Sequence, residues 1–420
     1  MAIGKGAYLK AITSSRLGSS RILDRTMEGS TPPSVFVGSW NYPKVYAGPL
    51  IAPIREECGI MDTPEAWIPA GWSQEDILSC RLDLVRGKRV CDVTRVDDPD
   101  ACRLQEIALS AGSVESQALF SETPVGTSFS EEHTPFGPSA HLVEFEAESS
   151  RFEPHLEQCY YDSDLTASEA VLELYREGVP FSSIQKALSV GALGTGGRRR
   201  MVPTRWSITA CDTTLADRFL SRVRQNRLID TVRVHEFSSL NNHYAVILLP
   251  TPWQYEWMEA FLHIRGNEEL LFSDHEEFRG KKGYSCVGGC YYSCKMAVLE
   301  GLERDGVQAG AIVLREARKG YIPMGVFNVR ENVRQAMLQP FREFEDLPSA
   351  LADVSMRMTL PMERFINEST VLKSQFRAKQ TTLDLFTGSQ KKCTCSPSDP
   401  DDSTLRERAP VIPYQSNTIR

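Results

Sequence analysis

Long hydrophobic runs are missing from this chain. No stretch approaches the ~20 consecutive apolar residues that a membrane-spanning helix requires, so no membrane span is expected. The first ten residues, MAIGKGAYLK, hold no continuous apolar segment and no small-residue cleavage site, which argues against a secretory signal. Positive charge is in short supply: 47 Lys and Arg face 55 Asp and Glu, for a formal net charge of −8. That excludes a protein that coats DNA in bulk. Any nucleic-acid surface must be a local basic patch on an acidic molecule. Paired cysteines of the C-x-x-C kind are also lacking, and the 11 cysteines are odd in number and scattered. Such usage fits a reducing compartment better than a secreted disulfide framework, so the expected location is cytoplasmic.

What is present suits an ordinary globular protein: 420 residues, 41% apolar and 24% charged, long enough for two cores. Residues 1–30 are polar and weakly patterned, a loose lead-in. Residues 31–53, dense in Pro, Gly and aromatics, predict short strands between turns. Trp72–Leu84 predicts a helix, with Ser73 as N-cap and Asp76 in the first turn. Residues 112–140, rich in Ser, Thr, Gly and Pro, predict a surface excursion. A strand over His141–Ala147 and a capped helix over Thr166–Glu177 follow. Thr231–Phe237 and His243–Leu249 form a hairpin pattern around SSLNN. Gly289–Leu302 reads as helix, Gly310–Glu316 as strand and Glu363–Ala378 as the last helical stretch.

The fold class expected from this mixture is α+β, with two packed domains and a disordered C-terminal tail. One domain covers 31–275 and the other 283–379, divided near the charged stretch Asp274–Lys282. Residues 388–420, with SPSDPDDS and few large apolar side chains, cannot bury enough surface to offset their ordering entropy.

The sharpest motif is QTTLDLF, Gln380 to Phe386, which resembles the peptide by which proteins dock on the DNA polymerase sliding clamp (PCNA), the PIP motif. A single 3₁₀ turn puts residues three apart on one side. Leu383 and Phe386 then project together as an apolar plug, with Thr381, Thr382, Asp384 and Leu385 between and around them. Gln380 offers both a donor and an acceptor to a polar pocket. Lys373, Arg377 and Lys379 before it, and Lys391 and Lys392 after it, steer it toward an acidic surface. Thr387 stands where a second aromatic often sits.

Segments along most of the chain resemble the archaeal Nre family: PPSVFVGSWNYPKVYAGPL (32–50), WSQEDILSCRLDLVRG (72–87), VPTRWSITACD (202–212), GCYYSCKMAVLEGL (289–302) and QFRAKQTTLDLF (375–386). The resemblance implies a DNA-repair role, with damaged DNA and the clamp as partners and a nucleoid association during repair. It also implies a larger N-terminal region, a smaller C-terminal one and clamp contacts from Gln380, Leu383 and Phe386. A zinc-finger-like cysteine cluster that some members carry near the N-terminus is absent here, where the first cysteine is Cys58.

Other constellations leave two readings open each. Cys286, Cys290 and Cys294, spaced by four, would share one helix face as metal ligands or as a small-residue packing seam. Cys393 and Cys395 form an isolated C-x-C pair in the tail. The loop GTGGRRRMVPTRW carries Arg198, Arg199, Arg200 and Arg205 for phosphates and Trp206 for a base, or is a solvated loop with Trp206 in the core. Its glycines match neither a Walker loop nor a dinucleotide fingerprint. Gly288 and Gly289 precede a helix that could seat a phosphate, or simply turn the chain.

Asp212 closes the apolar segment Trp206–Cys211 as a strand-end carboxylate or an N-cap. Asp274, His275, Glu276 and Glu277 are metal-ligand types, or a solvated acidic loop. His235 and His243 could face each other across the hairpin. No catalytic set assembles from spacing. The function expected is repair of damaged DNA with recruitment to the clamp through Gln380–Phe386; an adaptor and a metal-dependent nuclease or other DNA-modifying enzyme both stay open, and a third reading is a metal or redox sensor.

Overall fold

The structure, a computed structural model, describes residues 24–377. The clamp-type peptide Gln380–Thr387, Cys393 and Cys395 lie outside the described residues. The fold is mixed α+β, built on two six-stranded sheets. The first runs in the order β1-β5-β6-β4-β3-β2. Its strands are β1 (Thr26–Thr31), β2 (Val35–Val37), β3 (Lys44–Ile51), β4 (Val85–Asp92), β5 (Val114–Phe120) and β6 (Ser139–Ala147). All neighbours are antiparallel except β4 and β6. The second sheet runs β11-β10-β13-β9-β8-β14, with only β10 and β13 parallel. Its strands are β8 (Val232–Ser239), β9 (Asn242–Leu249), β10 (Tyr255–Leu262), β11 (Glu269–Glu276), β13 (Gly310–Ala317) and β14 (Arg342–Phe344), while β7 (Arg227–Leu228) pairs apart with β12 (Val307–Gln308).

The helices, in chain order, are α1 (Pro64–Trp67), α2 (Gln74–Leu82), α3 (Pro99–Leu109), α4 (Pro154–Tyr161), α5 (Ala167–Arg176), α6 (Phe181–Ser189), α7 (Thr204–Val223), α8 (Gly289–Arg304), α9 (Phe327–Leu338), α10 (Leu347–Ser355) and α11 (Met362–Glu368). Among the described residues no helix is long and apolar enough to cross a membrane. The second sheet takes strands from both sides of Asp274–Lys282, and the described residues through Ser374 form one unit.

Local signals set many of these boundaries. The Ser73 hydroxyl accepts from Asp76 N while the Asp76 carboxylate accepts from Ser73 N, a capping box that starts α2. Thr166 and Glu169 do the same for α5. The β8–β9 hairpin turns on Leu240 and Asn241, both at positive φ (51° and 57°), as a tight two-residue connection demands. The strands β9, β10 and β13 are buried along their whole length, which requires cover on both faces. The seam of α8 supplies part of it. Cys290, Cys294, Ala297 and Val298 are buried together, and a Cβ added at Gly301 would lie 2.7 Å from Met337 Cε of α9.

Two expectations fail on long-range contacts. Residues 112–140 are more than a surface excursion: β5 lies within them, and Glu131 is carried into the interior at 7% exposure. Trp206–Cys211 is not a strand but part of α7, where Cys211, Leu215, Phe219 and Val223 make a buried stripe that includes the polar Ser207 and Asp212. Those polar members hid the helical period.

Glu236 of β8 fastens β9 and β14 to the segment that follows α10. Its carboxylate accepts from His243 Nε2 (3.0 Å), Arg357 Nε (2.7 Å) and Arg342. Burial alone would raise its pKa, but the bonds from His243, Arg342 and Arg357 outweigh it and hold the carboxyl down at about 2. The folded value lies below the unfolded one, so the contribution is present above about pH 4.5 and is lost as pH falls through about 2. Urea midpoints measured from pH 6 to pH 2 should fall less steeply for Glu236→Gln than for the unaltered chain; parallel curves would refute the coupling.

Candidate nucleic-acid interface

A cleft of about 310 Å³ opens beside the first sheet. One wall is the turn after β2. Asn41 adopts φ 61°, a conformation Asn tolerates, and the turn leaves Trp40 72% and Tyr42 43% exposed. The floor comes from β4, where alternation puts Arg86 and Lys88 on one side and both line the cleft. Between them, a Cβ on Gly87 would lie 2.4 Å from Leu142 Cδ1, so β6 can approach only a glycine. The opposite wall is the first turn of α7. Val37 N donates to Thr204 Oγ1 (2.9 Å), tying β2 to this helix and placing Arg205 at the cleft. The turn has no acidic residue to offset the positive end of the helix. The loop bearing Glu132 and His133 completes the ring.

The aromatics form a shelf. Trp40 lies parallel to Tyr46 at 6.1 Å, and Tyr42 meets Trp206, itself 42% exposed, at 5.1 Å. Arg86 is 8% exposed. Its guanidinium sits 4.3 Å over the Phe36 ring and Nη2 donates to the Tyr46 carbonyl at 2.8 Å, while Nε has no hydrogen-bond partner. Among the described residues no carboxylate forms an ion pair with it. Burial pushes its pKa down to about 9, still protonated at neutral pH. Burial and then the Arg86 charge also lower Lys88, against the pull of Glu122. At the rim Arg205 pairs with Glu132 at 3.2 Å. Burial pushes His133 down to about 4, so the ring is neutral. Its Nδ1 lies 2.8 Å from the Thr134 carbonyl, which assigns the proton there and leaves Nε2 as an acceptor.

The basic loop divides. Arg198 and Arg200 are exposed. Arg199 is spent internally, donating to the carbonyls of Gly194 and Tyr160 at 2.7 Å each. Arg205 lines the cleft, while Trp206, exposed and packed against Tyr42, is not in the core. The sequence reading missed Arg86, Lys88, His133 and Trp40. Its available signal was V-R-G-K in a strand, two cations on one face around an obligatory glycine.

The remaining candidates do not converge. Asp212 is buried on α7 and bonded to Arg330 and Ser293. Instead of a solvated acidic loop, residues 274–276 end β11. Asp274 holds Lys281, Ser285 Oγ and Cys286 N, and Glu276 accepts from Trp253 Nε1 (2.9 Å), Tyr291 OH (3.1 Å) and Lys295. His243 faces Ser238 in the hairpin, and His235 faces Val246 instead of His243. Gly288, at φ 78°, turns the chain into α8. Since α8 begins at Gly289, exposed Cys286 precedes the helix and the three thiols share no face. Cys290 instead gathers with Glu131 and Glu259. There Arg315 lies between the carboxylates, 3.0 Å from Glu259 and 3.7 Å from Glu131, and supplies the positive charge a cation would bring.

Comparisons with known proteins agree along the chain. The family described as "Archaeal Nre, N-terminal" matches residues 7–264, and "Archaeal Nre, C-terminal" matches residues 276–386. The DNA repair protein NreB of Archaeoglobus fulgidus is 38% identical over 370 residues, covering 86% of this chain and 92% of that protein. The DNA repair protein NreA of Haloferax volcanii is 31% identical, covering 82% and 86%. No solved structure matches. With both family halves matched in order, the chain belongs to the archaeal Nre family.

Proposed function

We propose that this chain is a DNA-repair factor that rides the sliding clamp through Gln380–Phe386 and contacts DNA in the cleft around Arg86. The observation that carries the DNA contact is local excess positive charge beside exposed aromatic rings on a protein of net charge −8. Stacking on such rings tolerates any base, and cations beside them track a backbone. The names of the relatives, DNA repair proteins NreA and NreB, support the repair setting.

The end of the described body supports the tether. Glu256 of β10 accepts from Thr370 N (2.7 Å) and Val371 N (3.1 Å) and from Ser369 Oγ, pinning the segment that leads to the peptide. A clamp-bound peptide and a DNA-bound cleft on one molecule reinforce each other through effective concentration. An adaptor is favoured over a nuclease because Asp212, Asp274 and Glu276 are each committed to separate internal partners.

Fluorescence anisotropy with a labelled single-stranded oligonucleotide tests the cleft. Arg205→Glu together with Trp206→Ala should weaken binding by about tenfold or more and reduce the salt dependence. Unchanged affinity and salt slope would end the assignment of DNA to this surface.

A further inference from the structure

The cleft around Arg86 is small, about 310 Å³, and carries a buried guanidinium with no acidic partner among the described residues. Resting on the reading of this cleft as a DNA contact, we infer that it seats the terminal phosphate of a DNA strand, a phosphomonoester, with the attached nucleotide against Trp40.

Three observations lead there. First, Arg86 is nine-tenths buried with no carboxylate partner among the described residues, and its Nε lacks any hydrogen bond. An uncompensated buried guanidinium disfavours the folded state. A phosphate arriving from solvent supplies the missing negative charge and offsets that cost. Lys88 stands beside it on the same strand face, so the floor carries two positive charges.

Second, the space suits one unit. A cleft of about 310 Å³ lies at the small end of single-ligand sites. An internal phosphodiester continues on both sides and must lie along an open channel, whereas a terminal phosphate enters end-on. It also carries about −1.5 to −2 charge at neutral pH, more than a diester. Third, the walls are differentiated. Trp40 offers an exposed ring at the mouth, against which the attached base can lie. The two cations, the small space and the ring at its mouth together favour a doubly charged strand end over a strand interior.

The test uses the full chain and three labelled single-stranded oligonucleotides of one sequence, with a 5′-phosphate, a 3′-phosphate or hydroxyls at both ends. Anisotropy should show one phosphorylated end preferred over the hydroxyl ends by about tenfold or more. The two phosphorylated arms distinguish the polarity. Arg86→Met keeps the packing on Phe36 and removes the charge. It should erase the preference while leaving the melting temperature unchanged or higher, the mark of a residue kept for a ligand. Lys88→Gln, at the partly exposed side of the floor, should reduce the preference and carries the test should Arg86→Met fail to fold.

A preference that survives both substitutions overturns the inference. So do equal affinities for all three strands, but then the cleft still binds DNA provided Arg205→Glu with Trp206→Ala weakens it. Absence of binding to any strand removes both readings.

Discussion

Replacing Leu383 and Phe386 together by alanine is expected to abolish clamp binding in calorimetry and leave the melting temperature of the chain unchanged. Burying a leucine or phenylalanine side chain contributes roughly 1.5–3 kcal/mol, so losing both costs more than about a hundredfold in affinity. A peptide of this size starts from about micromolar strength, near −8 kcal/mol, and cannot absorb that loss. Thr387 sharpens the expectation, because the position that often holds a second aromatic offers no ring to compensate. The unchanged melting temperature follows from where the described body closes. Val371 and Leu372 are buried at 3% and 0% exposure, and Glu256 holds the start of their helical segment at Thr370, ten residues before Gln380. Gln380→Ala, removing one pair of hydrogen-bonding groups, should have the smaller effect. A double variant that binds with undiminished affinity would remove the tether from the proposal.

Elements specified by neighbours in sequence were legible. The caps at Ser73 and Thr166, the SSLNN turn and the apolar strand at Gly310 are all local chemistry, and each element formed close to its expected bounds. What stayed hidden depends on contacts far along the chain. Glu131 looks like one more polar loop residue until Arg315, 184 positions later, meets it in the interior. Asp212 and Ser207 interrupt the apolar stripe of α7 because Arg330 and Gln185 satisfy them from other helices.

The site divides the same way. Arg205 and Trp206 announced themselves through a run of arginines beside an aromatic; Arg205 lines the cleft and Trp206 is exposed beside it in the chain. Arg86 did not, since what makes it a ligand seat is the absence of a counter-charge, and only packing reveals that. The clustered cysteines misled for a related reason. Periodicity of four implies a shared face only inside a helix, and α8 starts after Cys286.

Asp212→Ala is expected to destabilise the fold by about 3–5 kcal/mol, the cost of leaving a buried charge without its partner. Arg330, 3% exposed, donates from Nε and Nη2 to the two oxygens of Asp212 at 2.8 and 2.7 Å, and Ser293 Oγ donates to the same carboxylate. The pair bolts α7 to α9 and α8, so its loss loosens three helices at once. Thermal unfolding should fall by on the order of 4–6 °C. Asp212→Ala with Arg330→Met should recover much of it, because a methionine of similar length removes the orphaned charge instead of stranding it. This arrangement changes how a loss of DNA processing in Asp212→Ala would be read. A variant that loses activity and stability together, with both restored by Arg330→Met, identifies a structural pair. Lost function at an unchanged melting temperature would instead make Asp212 a working carboxylate, and would revive the enzyme that its burial and its partners argue against.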